Sequence, residues 1–213
     1  MGVFSENAII GSSAAGDYDI DQSLRFDDAS DHYLEREWTS TGNRKTWTMS
    51  FWFKGLARVE KQFCGVSANA DGTVGSNIWP GMIFNTNTAT GGIQIQHYTG
   101  SSYTCLVDTK ALIADPAAWY HCVIRWDTTQ STDTNRTKIY INGTLLLPAD
   151  LDYDQYPAQD SDTAMHVSNS RVAVGAQADG GYPWSGYIAD VHLLDGQTGK
   201  TPSDFAEYDE DSG

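Results

Sequence analysis

Thr46-Trp47-Thr48-Met49-Ser50-Phe51-Trp52-Phe53-Lys54 is the stretch that decides the fold class. Trp47, Met49, Phe51 and Phe53 fall on alternate positions, with Thr48, Ser50, Trp52 and Lys54 between them. Successive side chains of an extended chain point to opposite faces. The alternation therefore predicts a half-buried antiparallel strand with Trp47, Met49, Phe51 and Phe53 inward.

Outward from that strand, the same pattern recurs at Trp119–Asp127, where Tyr120, Cys122, Ile124 and Trp126 share a face. Lys138–Ile141 runs into Asn142-Gly143, the strongest short hairpin signal, and Leu145-Leu146-Leu147 follows. Further strands are expected at Ser23–Phe26, Tyr33-Leu34, Gln62–Val66, Gly81–Asn85, Gly92–Tyr98, Ser102–Asp108, Val172–Gly175 and Gly186–Leu194. Helical potential is limited to Ala111–Ala114 and Ser203–Tyr208. All six prolines (Pro80, Pro116, Pro148, Pro157, Pro183 and Pro202) fall between these strands, as residues that cannot donate to a central ladder should. Many strands separated by turn signals predict an all-β chain, an antiparallel two-sheet β-sandwich or jelly roll. Residues 1–22, with Gly11-Ser12-Ser13-Ala14-Ala15-Gly16 at their centre, read as an extended N-terminal arm. The sandwich is expected over residues 23–208 and an acidic tail over 209–213.

The chain has 213 residues and a net charge of −15, from 28 acids against 13 bases. That balance argues against nucleic acid as a partner, because phosphate recognition needs a positive surface. It argues equally against docking on anionic membranes. No segment approaches the roughly 18 apolar residues of a spanning helix, and Met1–Gly16 lacks the basic-then-apolar pattern of a secretory leader. Cys64, Cys105 and Cys122 have no metal-like spacing and read as free buried thiols, with a Cys105–Cys122 pairing as the alternative.

Four segments in order resemble laminin G-like, concanavalin A-like domains. They are Ser23–Asp27, Thr46–Lys54, Trp119–Asp127 continuing to Lys138–Gly143, and Val174-Gly175 followed by Trp184–Val191. Gly42–Trp47, Leu194–Gln197 and Thr201–Phe205 are similar to a version found in virion proteins of marine bacteriophages. The resemblance implies a concanavalin A-like jelly roll and a non-enzymatic structural protein of a virion: a tail or head fibre, a spike or a decoration protein. It would be made in the host cytoplasm. The arm would hold it to other virion proteins, copies would assemble as a homo-oligomer (a trimer in fibres), and the sandwich would meet host-surface glycan or a neighbouring subunit. A free bacterial carbohydrate-binding module and a glycan hydrolase remain as alternatives, since one fold carries all three.

Glycanases of this fold need two or three carboxylates alternating along one strand, about 5–5.5 Å apart for a retaining reaction. No expected strand carries that pattern. Glu35 and Glu37 lie near the first turn without a third acid. Sugar recognition needs rings for apolar sugar faces and amides or carboxylates for hydroxyls. Gln94, Gln96 and Tyr98 supply such a set on one strand face. Asn77, Trp79 and Asn85 surround a turn containing proline, and Asp179, Tyr182 and Trp184 flank Gly180-Gly181. No cofactor is required by these readings. A structural calcium is the one metal the resemblance suggests, with Asp190 on the last long strand and Asp27 or Asp28 after the first as candidate ligands.

Overall fold

A computed structural model describes residues 22–30, 32–55, 61–67, 80–86, 92–99, 102–110 and 115–206. Within them the chain forms β1 (Leu24–Phe26), β2 (Leu34–Glu37), β3 (Thr46–Gly55), β4 (Gln62–Ser67), β5 (Pro80–Thr86), β6 (Ile93–Thr99) and β7 (Tyr103–Thr109). It continues with β8 (Tyr120–Asp127), β9 (Thr137–Ile141), β10 (Thr144–Leu145), β11 (Leu151–Gln155), β12 (Arg171–Val174) and β13 (Gly186–Asp195). A six-stranded sheet runs β1-β13-β3-β8-β9-β10 and a seven-stranded sheet runs β11-β7-β6-β5-β4-β12-β2. Every strand pair is antiparallel.

The alternating stretches meet as the sequence requires. Trp47 pairs with Trp126, Met49 with Ile124, Phe51 with Cys122 and Phe53 with Tyr120, so all eight side chains point to the same face. That face lies against Phe63, Cys64 and Val66 of β4, Ile93 and Ile95 of β6, and Cys105 and Val107 of β7. Trp47 and Trp126 stack with their ring centres 5.4 Å apart. Buried rings of this size dominate the apolar driving force of a small sandwich. At the Asn142-Gly143 hairpin both residues have positive φ, 47° and 79°, as the tight turn between twisted strands demands. Asn142 Oδ1 also accepts from the His121 backbone N–H at 2.8 Å, which ties the turn to β8.

Several expectations need correction. The second face of β3 is not solvated: Thr48, Ser50 and Trp52 are buried. Residues 196–206 cross that face, where Thr48 Oγ1 donates to the Gln197 carbonyl at 2.5 Å and Phe205 packs on His192. The second strand is Leu34–Glu37 rather than Tyr33-Leu34. Leu151–Gln155 is a strand the sequence reading lacked, and Pro80 opens β5 instead of preceding it. Pro148 starts a one-turn 3-10 segment, so the strand after the hairpin is cut to Thr144–Leu145. The helix expected at Ser203–Tyr208 is a 3-10 turn at Pro202–Asp204, and Ala111–Ala114 lies outside the described residues. Cys105 and Cys122 sit in opposite sheets, and all three cysteines are free and buried.

Candidate functional site

Register across the seven-stranded sheet assembles residues that are far apart in sequence. Gln62 pairs with Asn85, Asn85 with Gln94, Gln94 with Asp108, and Asp108 with Tyr153. Partners directly opposite in a ladder share a face, so the register lines these positions up across five strands. At about 4.8 Å between strands it spans about 19 Å. Ile93 and Ile95 point into the core, which turns Gln94 and Gln96 to the outer face. Gln94 Nε2 donates to Asp108 Oδ2 at 3.3 Å, and Gln96 Nε2 donates to Gln94 Oε1. Tyr98 lies further along β6, with its ring 5.0 Å from that of Tyr103. Tyr103 and Tyr153 are 43% and 55% exposed, so this amide-rich face carries open rings.

The loop after β12 forms one wall. Gly175 takes φ 87° against the Phe26 ring, where a side chain would collide. Gln177 N–H donates to the Gly181 carbonyl at 2.8 Å, closing the loop. Gly65 of β4 lets the loop lie on the sheet: a Cβ there would stand 2.7 Å from the Gln177 Cα. Gln62 fastens the contact, its backbone N–H donating to the Tyr182 carbonyl at 3.0 Å and its side-chain amide to Gln177 Oε1 at 3.3 Å.

The structure separates the expected Asp179–Tyr182–Trp184 group. Asp179 Oδ1 accepts from the Gly181 N–H at 2.9 Å and so shapes the turn. Tyr182 has φ 50° and is 44% exposed at the loop tip. Trp184 is buried, with its ring 4.3 Å from Phe63 and 6.2 Å from Phe53, and belongs to the core. Trp79 and Asn77 lie outside the described residues, and Asn85 is placed by its backbone register. Tyr103 and Tyr153 join the exposed face although the sequence reading did not select them, and Gln62 and Asp108 share its register but are buried. Tyr153 alternates with Asp152 and Asp154 in a period-two signal that could have found it.

The three aspartates suggested for calcium do not converge. Asp27 Oδ1 accepts from the Ala29 N–H at 3.0 Å and makes a turn. Asp28 pairs with Lys61 at 2.8 Å, and that ammonium holds its carboxyl below the usual range. Asp190 has φ 50° at a bulge in β13 and meets His192 at 2.8 Å. Phe26 pairs with Gly186 and Leu24 with Ile188, so Asp190 lies toward the opposite end of β1 from Asp27, about 16 Å along the strand. Among the described residues no three His, Cys, Asp or Glu side chains gather as a metal site would require.

One pair has the residue types of nucleophilic catalysis. Ser50 Oγ and His121 Nε2 are 2.8 Å apart on the outer face of the six-stranded sheet. Both are buried, and the His121 ring stacks on Trp52 at 4.7 Å. Burial, with the nearby His192 charge, pushes His121 down to about 4. The pair is closed to solvent and packs the sheet. Glu35 and Glu37 lie on the exposed strand β2, where Glu35 pairs with Arg171 at 3.3 Å.

A family model described as the concanavalin A-like lectin/glucanases superfamily, of laminin G type, matches residues 27–199. No curated protein matches at a significant level. Domains LG4-5 of the mouse laminin alpha1 chain superpose with a TM-score of 0.56 at 9% identity, covering 90% of this chain and 47% of that one. The CBM40 domain of the Ruminococcus gnavus IT-sialidase gives 0.52 at 16% identity, with 76% and 91% covered. Tailspike protein 2 of the Escherichia coli O157:H7 bacteriophage CAB120 gives 0.51 at 13% identity, with 82% and 23% covered. Likeness at these identities is likeness of fold.

Proposed function

We propose that the chain, which belongs to the concanavalin A-like lectin/glucanases superfamily, is a non-enzymatic binding module that takes carbohydrate on the outer face of its seven-stranded sheet. The observation that carries this reading is the half-buried amide pair Gln94 and Gln96 on β6, with the open rings of Tyr103 and Tyr153 on the same sheet. Rings suit the apolar faces of sugars, and amides with a carboxylate suit their hydroxyls. The sheet fixes the spacing of these groups before a ligand arrives, which limits the entropy lost on binding.

The wider setting we infer is a bacteriophage particle made in the host cytoplasm. Residues 1–22 would attach the sandwich to other virion proteins, and copies would assemble as trimers that present the sheet to host-surface glycan. The small-residue composition of Gly11–Gly16 and the resemblance of Gly42–Trp47 and Leu194–Phe205 to virion proteins support that setting. Glycan-array binding by the full chain tests the module. Tyr153→Ala and Gln94→Ala should each lose most of the signal, and an array with no hits refutes the module. Immunogold labelling of purified particles tests the setting, and unlabelled particles refute it.

A further inference from the structure

We propose that the outer face of the six-stranded sheet carries a binding site for one small oxyanion, a sulfate, phosphate or carboxylate group, built from Arg125, Lys138 and Asn135. The site lies on the opposite sheet from the face read above as a carbohydrate surface and does not depend on that reading.

Arg125 of β8 and Lys138 of β9 are direct partners in the ladder. Ile124, Trp126 and Ile139 beside them are buried in the core, so the two cations stand outward on one face. Like charges directly opposite each other destabilise a sheet. Arg44, Lys45, Lys61, Arg171 and Lys200 each have a carboxylate within 3.6 Å. Among the described residues Arg125 and Lys138 have no carboxylate within ion-pair distance. Arg125 also uses little of its hydrogen-bonding capacity. Its Nη1 donates to the Tyr140 hydroxyl at 3.3 Å, and its Nε–H is buried without a partner. An unpaired buried donor is costly, and beside a second cation that cost has no evident structural return.

The two cations line a recess of about 160 Å³ together with Asp127, Gln130 and Asn135. The one-turn 3-10 segment Asp133–Asn135 brings Asn135 there. Arg136 holds that loop in place, donating from Nε to the Gln130 carbonyl and from Nη2 to the Ser131 carbonyl, both at 2.9 Å. The side-chain amide of Asn135 has no partner among the described residues. Asp127 is the carboxylate of this lining, and it is engaged by its own turn. Its Oδ1 accepts from the Thr129 N–H at 3.1 Å and the Thr129 hydroxyl at 2.5 Å, and its Oδ2 accepts from Gln130 Nε2 at 2.7 Å. Two cations against one carboxylate leave the recess positive in a chain of net charge −15. A guanidinium, an ammonium and an amide with donors to spare suit the oxygens of a single oxyanion.

The test titrates the full chain with sodium sulfate in place of chloride at constant ionic strength, followed by NMR of the backbone amides and the arginine Nε–H groups. Arg125 Nε–H and the Lys138 amide should shift saturably, in the millimolar range. Lys138→Gln should weaken the binding about tenfold or more, and Asn135→Ala about threefold. Lys138→Gln also removes a like-charge contact, so without sulfate it should melt no lower than the parent. Phosphate and acetate titrated in the same way separate a tetrahedral group from a carboxylate as the preferred ligand. Shifts that rise linearly for all three anions mean surface cations only and overturn the proposal, as does saturable binding that is unchanged in folded Lys138→Gln. Lys138→Gln melting well below the parent would make Lys138 a structural residue and overturns it too. Glycan-array results bear on the other sheet and leave this site untouched.

Discussion

Mild acid should weaken the fold through two buried histidines. His97 points inward from β6 and is 6% exposed; His121, on the outer face of β8, is 3% exposed. Burial and the nearby Arg44 charge push His97 down to about 4, and burial with the His192 charge does the same to His121. In the unfolded chain each titrates near the ordinary value of about 6.5. Between these values the unfolded state holds two protons that the folded state does not, so stability falls as pH falls. The contribution is fully present above about 6.5 and is lost by about 4. From about pH 7 to about pH 5.5 each histidine costs about 1.2 kcal/mol, or about 2.5 kcal/mol for the pair. The variants should keep the hydrogen bonds and lose the titration. His97→Asn keeps an acceptor or donor where Nδ1 meets Thr104 Oγ1 at 2.5 Å, and His121→Gln keeps one where Nε2 meets Ser50 Oγ at 2.8 Å. Urea unfolding across this interval should show the loss in the parent, about half of it in each single variant, and little in the double variant. A double variant that loses as much stability as the parent refutes the reasoning.

Phe205→Ala should destabilise the chain by about 3 kcal/mol, because Phe205 is buried against His192 where residues 196–206 cover the six-stranded sheet. Urea unfolding checks it, and a loss under about 1 kcal/mol would mean that this segment is not part of the core. Native cysteines should resist a thiol reagent near neutral pH, since burial raises Cys64 and Cys105 to about 12 and Cys122 further still. All three should react in denaturant, and a fast-reacting native thiol would contradict the packing.

The strands that could be read from the sequence are those whose two faces differ. β3 and β8 alternate large apolar residues with small or polar ones, and their observed bounds lie within a residue of the expected ones. β2 and β11 carry Leu-Glu-Arg-Glu and Leu-Asp-Tyr-Asp-Gln at the edges of their sheet. Edge strands gain little burial, so their composition reports solvent rather than a core. The covered face of β3 was not legible because its cover arrives some 150 positions later, as Thr48 meeting Gln197 illustrates. The site divides in the same way. Gln94, Gln96 and Tyr98 follow from local period two. Gln62, Asp108 and Tyr153 become neighbours only through ladder register, which no local pattern encodes. Trp184 sits between Gly-rich turns and looks available for a ligand, yet the Gly175 turn carries its ring into the core.

The two outermost strands of the seven-stranded sheet have a consequence for crowded copies. An edge strand leaves backbone donors and acceptors unpaired, ready to template another chain. Here Glu35, Arg36 and Glu37 stand exposed along one margin, and Asp152 and Asp154 along the other. Acidic side chains at both margins act as gatekeepers: bringing two such margins together would set carboxylate against carboxylate. In a chain of net charge −15, that repulsion opposes zipping of sheets edge to edge into fibrils at neutral pH.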